Sequence, residues 1–158
     1  MHKKKIKDTL HLTSGSTRMV FFFRKYAVKI PRLDLGISGI KIGMMSNQEE
    51  YIKYTKALDK NDISVLDKLC PVHYSFLCGF FIVMQKADRH LTEFEWKRYE
   101  KVLKSEKYWK WFNDVTPKNA MMLNNKVVMV DYAYHPKAKY GGYKAYLVYF
   151  LLKIFIYF

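Results

Sequence analysis

Between Leu10 and Pro31 the chain reads LHLTSGSTRMVFFFRKYAVKIP. Three short β-rich runs alternate there with polar connections. The first is a short strand ending at Leu10 to Leu12, and Thr13-Ser14-Gly15-Ser16-Thr17 supplies turn chemistry. Met19 to Phe23 is the second run, Arg24-Lys25 a corner, and Tyr26 to Ile30 the third. Pro31 ends it, because proline has no amide for the next rung of a ladder. The stretch predicts a three-stranded antiparallel meander with tight connections.

Downstream, Leu33 to Met45 holds Gly36, Gly39 and Gly43 and reads as a loop, with neither P-loop nor dinucleotide-binding spacing. Ser46-Asn47-Gln48-Glu49 has the form of a capping box, which predicts a helix from about Asn47 to Leu58. Val72 to Tyr74 and Phe80 to Met84 read as two further strands. A second capping box, Thr92-Glu93-Phe94-Glu95, opens a helix whose apolar face is expected to be Phe94, Trp96, Tyr99, Val102 and Leu103. Ser105 interrupts it and Tyr108 to Phe112 resumes. A polar loop, Asn113 to Asn119, follows. Val127 to Val130 is a buried strand ending at Asp131, with a hairpin turn expected around Asn124-Asn125.

The chain has 158 residues, half of them apolar and 17% aromatic, enough for a packed core and against a disordered chain. Lys and Arg number 28 against 14 Asp and Glu, a formal net charge of +14 spread along the chain. Such a surplus attracts anions, whether nucleotides, acidic proteins, nucleic acid or anionic lipid, though a Lys-rich surface needs no ligand to explain it. No helix-turn-helix, zinc-finger or RNA-recognition signature supports nucleic acid. Two cysteines, Cys70 and Cys78, make no CxxC or disulfide framework, and the expectation is a reducing cytoplasm. The basic N-terminus is not followed by an apolar run of signal-peptide length. The apolar stretch from Leu147 to the end falls short of the ~20 residues of a membrane span, so a buried helix or strand is expected and a membrane partner is not.

Several polar residues stand where polarity is unexpected: Lys29 inside a strand, Glu50 on a helix, Asp114 and Asn119 in one short loop, and Asp131 at a strand end. Each alone reads most simply as a solvated side chain. Together they are equipment for phosphoryl transfer. A sheet lysine touches phosphates, a helix carboxylate holds it extended, and a carboxylate with an amide oxygen offers hard ligation to Mg²⁺. A second carboxylate accepts a hydroxyl proton.

On these residues the chain resembles a small protein-kinase-like phosphotransferase, nearer to atypical bacterial and phage kinases than to eukaryotic protein kinases. Ser14 to Val20 resembles a nucleotide-covering loop, and Tyr26-Ala27-Val28-Lys29-Ile30-Pro31 the strand that carries the lysine. Glu50 to Leu58 resembles the helix of the lysine's partner, and Val83 to Ala87 a strand entering an interlobe hinge. Asn113 to Asn119 matches the D-x-x-x-x-N loop, and Val128 to Ala133 resembles the metal-binding D-F-G. The similarity covers about Leu10 to Ala133.

The resemblance implies an α+β fold: a five-stranded antiparallel N-lobe with one packed helix over 1–84, and a truncated, mostly helical C-lobe over 85–158. It implies ATP and Mg²⁺ as cofactors and transfer of the γ-phosphoryl group to a hydroxyl, most naturally on protein Ser or Thr. By the same resemblance Lys29 contacts the α/β-phosphates and pairs with Glu50, with Glu49 the competing choice. Asp114 is the catalytic base, and Asn119 and Asp131 hold the metal. Gly15 and Ser16 cover the phosphates, and the backbone of Gln85 to Ala87 meets the adenine. Gly15 is the lone glycine of its loop, Phe112-Asn113 stand where protein kinases carry His-Arg, and 27 residues follow Asp131. These departures keep an alternative: a kinase-shaped, non-catalytic and phage-type binding protein that inhibits an acidic host partner.

Overall fold

The computed structural model describes residues 11–112 and 114–133. The meander forms as the sequence predicts, with β1 at His11–Ser14, β2 at Arg18–Phe23 and β3 at Tyr26–Pro31. Strand β1 runs two residues beyond Leu12, and Thr13 pairs with Val20 across the ladder. Two later strands, β4 at Val72–Phe76 and β5 at Phe81–Gln85, complete a five-stranded antiparallel sheet in the order β1-β2-β3-β5-β4. Lys29 on β3 stands opposite Ile82 on β5, and Tyr26 stands opposite Gln85.

The glycine-containing segment 33–45 is not a loop. A single 3₁₀ turn at Leu33–Leu35 leads into α1, a 24-residue helix over Gly36–Asp59. Ser46 is therefore inside the helix and caps nothing, and its hydroxyl donates to the Ile42 carbonyl. The physical reason lies in packing. A Cβ on Gly43 would come within 2.7 Å of the Pro31 Cα and 2.8 Å of the Thr17 carbonyl oxygen. Its bare face lets α1 press against β3 and the start of β2, and that contact outweighs glycine's poor helix propensity.

Beyond the sheet lie α2 at Ile63–Leu66, β6 at Arg89–His90, α3 at Glu93–Leu103 and α4 at Glu106–Trp109. The Thr92 capping box is present in full. The apolar face of α3 is narrower than expected. Leu103 is buried and Trp96 and Tyr99 pack on the core, whereas Phe94 and Val102 face water because 96, 99 and 103 already share one side of the helix. Strands β7 at Ala120–Leu123 and β8 at Lys126–Met129 turn through Asn124 and Asn125, both with positive φ, as a two-residue hairpin demands. β6 adds to this hairpin as a third strand. The described part of 85–133 is thus a mixture of helix and sheet rather than mostly helix. The apolar tail lies outside the described residues.

One core joins the two halves. Ala57, Val72, Ile82 and Met84 pack in the same cluster as Leu103, Phe112, Ala120, Val127, Met129 and Tyr132. Segment 68–70 also hydrogen-bonds to Met129 in both directions, through Cys70 N–H to Met129 O and Met129 N–H to Lys68 O. These contacts fix where residues 130–132 lie relative to the sheet.

Candidate functional site

The site begins with one face of α1. Gly43, Asn47 and Glu50 recur at helical spacing on the side turned to the sheet, and the latter two are fully buried. Close approach at Gly43 delivers the polar ends one and two turns later to β2 and β3. The Lys29 ammonium donates to both Glu50 carboxylate oxygens, at 3.0 and 2.9 Å. It also donates to the Val130 carbonyl at 2.5 Å. Of the two competing carboxylates, Glu50 is the partner. Glu49 instead pairs with Lys53 one turn away on the more exposed flank, and Lys53 also donates to the Tyr132 carbonyl.

Two residues enter the site that sequence reasoning missed. Arg18, the first residue of β2, is almost fully buried. Its guanidinium lies 3.0 Å from Glu50, 3.1 Å from the Asn47 side-chain oxygen and 2.7 Å from Asp131. Asn47 fixes this geometry. Its amide nitrogen donates to Lys29 O and Gly79 O while its oxygen accepts from Arg18. Gly79 can take part because φ is +89° there, and a Cβ would stand 2.3 Å from the Met44 carbonyl. The signal available in the sequence was the Gly43, Asn47, Glu50 spacing: polar groups on a helix face that also carries Ile40 and Ala57 need buried polar partners.

Two cations, Arg18 and Lys29, thus face two carboxylates, Glu50 and Asp131, and the cluster is formally neutral. Burial opposes the charge on Asp131, but Arg18, followed by Lys29, holds its carboxyl well below the usual range. Burial opposes the charge on Arg18 as well, but Glu50, followed by Asp131, carries its guanidinium above the ordinary value. Of Arg18's three side-chain partners, Glu50 and Asn47 are sealed, whereas the Asp131 side chain is 34% exposed. The cluster therefore opens to solvent on the Asp131 side.

The loop residues lie beside it. Asn119 donates its side-chain amide to the Asp114 carboxylate at 2.9 Å and to the Asp114 carbonyl at 3.1 Å. Its backbone carbonyl accepts from Val130 N–H. Asp114 is exposed, and the backbone bond sets Asn119 beside Val130, the residue before Asp131. Because the Asn119 nitrogen is committed to Asp114, its side-chain oxygen is the atom left for a cation. That oxygen and the partly exposed Asp131 carboxylate are both hard oxygen donors, the type that could hold Mg²⁺ together with phosphates and water. Among the described residues no group of three or more His, Cys, Asp or Glu is placed to hold a metal ion.

Gly15 and Ser16 form the exposed β1–β2 turn, where Gly15 N–H donates to Arg18 O and Gly15 O accepts from Arg32. Gln85 and Ala87 line a cleft of about 390 Å³ with Arg24, Lys25, Lys86 and Asp88. The Gln85 and Lys86 amides are spent within the chain, on Pro71 O and Lys25 O. On β5 Gln85 stands three residues from the partner of Lys29, about 10 Å along the strand.

No protein-family model matches this chain, and none of the curated proteins matches it. Among the described residues no helix is long and apolar enough to cross a membrane.

Proposed function

We propose that this chain is a minimal protein-kinase-like phosphotransferase that binds ATP with Mg²⁺ and passes the γ-phosphoryl group to a hydroxyl, most naturally of a protein Ser or Thr. The observation that carries the reading is the buried Lys29–Glu50 pair, whose lysine also bonds the backbone next to Asp131. Burying two charges this way is expensive and is repaid only in part by their attraction, so the pair is poorly explained by stability alone. It makes sense where a lysine must be held extended towards phosphate.

In this reading Lys29 neutralises the α/β-phosphates and Asn119 and Asp131 hold the Mg²⁺. When bound, the ion offsets the charge of the triphosphate and fixes its geometry. Asp114 orients the acceptor hydroxyl and takes its proton as the oxygen bonds to the γ-phosphorus and the bond to the β–γ bridging oxygen breaks. Asn119 keeps Asp114 aimed through the 2.9 Å hydrogen bond. Gly15 and Ser16 close over the phosphates, and the backbone near Ala87 meets the base beside Gln85. The segment to residue 84 serves as the nucleotide lobe and the residues from 85 on as a minimal catalytic lobe. Labelled ATP, Mg²⁺ and a protein lysate test this beside Asp114→Ala. Phosphate transfer by the wild type and loss of at least about 100-fold in the variant is expected for a general base. Equal labelling by both rejects the role of Asp114.

One observation favours a second reading. Asp131 already has a resident cation in Arg18, as a non-catalytic binder of an acidic protein would tolerate. That reading predicts no transfer, and a salt-sensitive partner retained by Asp131→Ala.

A further inference from the structure

Arg18 belongs to none of the roles assigned above, yet it is the most heavily partnered cation of the cluster. Two of its partners are sealed in the interior. Glu50 and Asn47 are both fully buried on α1 and hold the guanidinium at 3.0 and 3.1 Å. The third, Asp131, is partly exposed and sits just past β8, outside any helix or strand. Among the described residues, its carboxylate therefore occupies the side of Arg18 that is nearest solvent and open to another anion. Lys29 meets the same segment through the Val130 carbonyl, so an anion arriving there faces both cations. Arg18 also closes the Gly15 turn with its own carbonyl, which ties the guanidinium to the loop above it.

We infer that Arg18 is a phosphate-binding residue, and that the site takes a nucleoside triphosphate by exchanging the Asp131 carboxylate on Arg18 for phosphate oxygens. The inference rests on the nucleotide reading and extends it: the resident carboxylate is a place-holder for phosphate. Without Asp131 the cluster carries one net positive charge in a buried setting, which an oxyanion satisfies. A planar guanidinium already fixed by two buried acceptors matches phosphate oxygens with little ordering left to do. The released Asp131 is then available to the Mg²⁺ that accompanies the triphosphate. Occupancy of Arg18 by phosphate and of the metal by Asp131 are thereby one event.

The exchange gives removal of Asp131 an unusual sign. Loss of a metal ligand alone weakens nucleotide binding, whereas loss of the competitor for Arg18 strengthens binding of nucleotide that carries no metal. The test is calorimetric titration of ATP in EDTA into full-length wild type, Asp131→Ala, and Asp131→Ala combined with Arg18→Gln, with melting curves to verify folding. Asp131→Asn replaces the alanine variant should that one not fold. Metal-free ATP is expected to bind Asp131→Ala at least about tenfold more tightly than wild type, and the second substitution to return the gain. No gain, or a gain that survives Arg18→Gln, overturns the exchange. Parallel titrations separate it from the nucleotide reading. Wild-type binding of ATP with Mg²⁺ but no gain in EDTA sinks the exchange alone. Binding of inorganic tripolyphosphate by Asp131→Ala through Arg18, with no ATP bound under any condition, upholds the anion site and sinks the nucleotide. No anion bound by any of the proteins sinks both.

Discussion

The guanidinium of Arg18 lies 2.7 Å from the carboxylate of Asp131, although one opens β2 and the other follows β8. That ion pair joins the sheet to the segment after the β7–β8 hairpin. With the Lys29 bond to Val130 O it makes the cluster a junction between the two halves of the chain.

Glu50 is the centre of that junction, and its removal leaves two buried cations with Asp131 as the one remaining carboxylate of the cluster. Glu50→Ala should destabilise the fold by about 3–5 kcal/mol, the range for breaking a buried pair from one side. Glu49→Ala removes only the flanking pair with Lys53 and should cost less than about 1 kcal/mol. Denaturant unfolding of both variants checks the contrast, and equal losses would deny Glu50 its central place.

Gly43→Ala tests how the helix is seated. The added methyl meets backbone of Pro31 and Thr17, which cannot rotate away, so α1 must lift from the sheet. Overpacking of this kind costs about 1–3 kcal/mol. Although alanine is the better helix former, the variant should melt lower. A higher melting temperature would show that the close approach is not tight.

The Asp131 carboxyl titrates below its ordinary value of 3.8 because Arg18 and Lys29 outweigh its burial. A depressed folded-state pKa contributes stability that is present above the unfolded value and is lost as pH falls through the folded one. Asp131→Asn lacks that contribution. The gap in melting temperature between wild type and Asp131→Asn should therefore be widest near neutral pH and shrink below about pH 4. A gap independent of pH would contradict the pairing.

The two cysteines should differ in reactivity. Cys70 is buried, its thiol donates to Gln85 O, and burial pushes its pKa up to about 12. Cys78 is exposed. Iodoacetamide at about pH 8 should modify Cys78 alone in the folded chain, with Cys70 following only in denaturant, because the thiolate is the reacting species. Mass spectrometry of the digested protein reads the order, and simultaneous labelling would contradict the burial of Cys70.

How far the sequence carried differs from element to element. The strands are legible because β-branched and aromatic runs are bounded by Pro31, by the Gly15-Ser16 turn and by Asn124-Asn125, all local signals, although β1 takes in Thr13 and Ser14 from the expected turn. Lys29 and Glu50 were legible as polarity in the wrong place, and the geometry joins them. The start of helix α1 is not legible in the sequence, because Gly36, Gly39 and Gly43 suggest a loop on propensity alone. The reason for Gly43 is a contact with Pro31 and Thr17, which only the fold brings near. Arg18 was missed for the same reason. A strand arginine signals burial only once Asn47, Glu50 and Asp131 are known to surround it. The inward face of α3 is narrower than its apolar residues suggest, because Phe94 is apolar without being inward.

Lys29 is the side chain on which the account turns, and it can be replaced without leaving Glu50 alone, since Arg18 still pairs with that carboxylate. Calorimetric titration of ATP with Mg²⁺ into the wild type and into Lys29→Met is therefore the most direct measurement. The account predicts one saturable site in the wild type and an affinity at least about tenfold lower in a still-folded Lys29→Met. No ATP bound by the wild type, or the same affinity in both proteins, would contradict it.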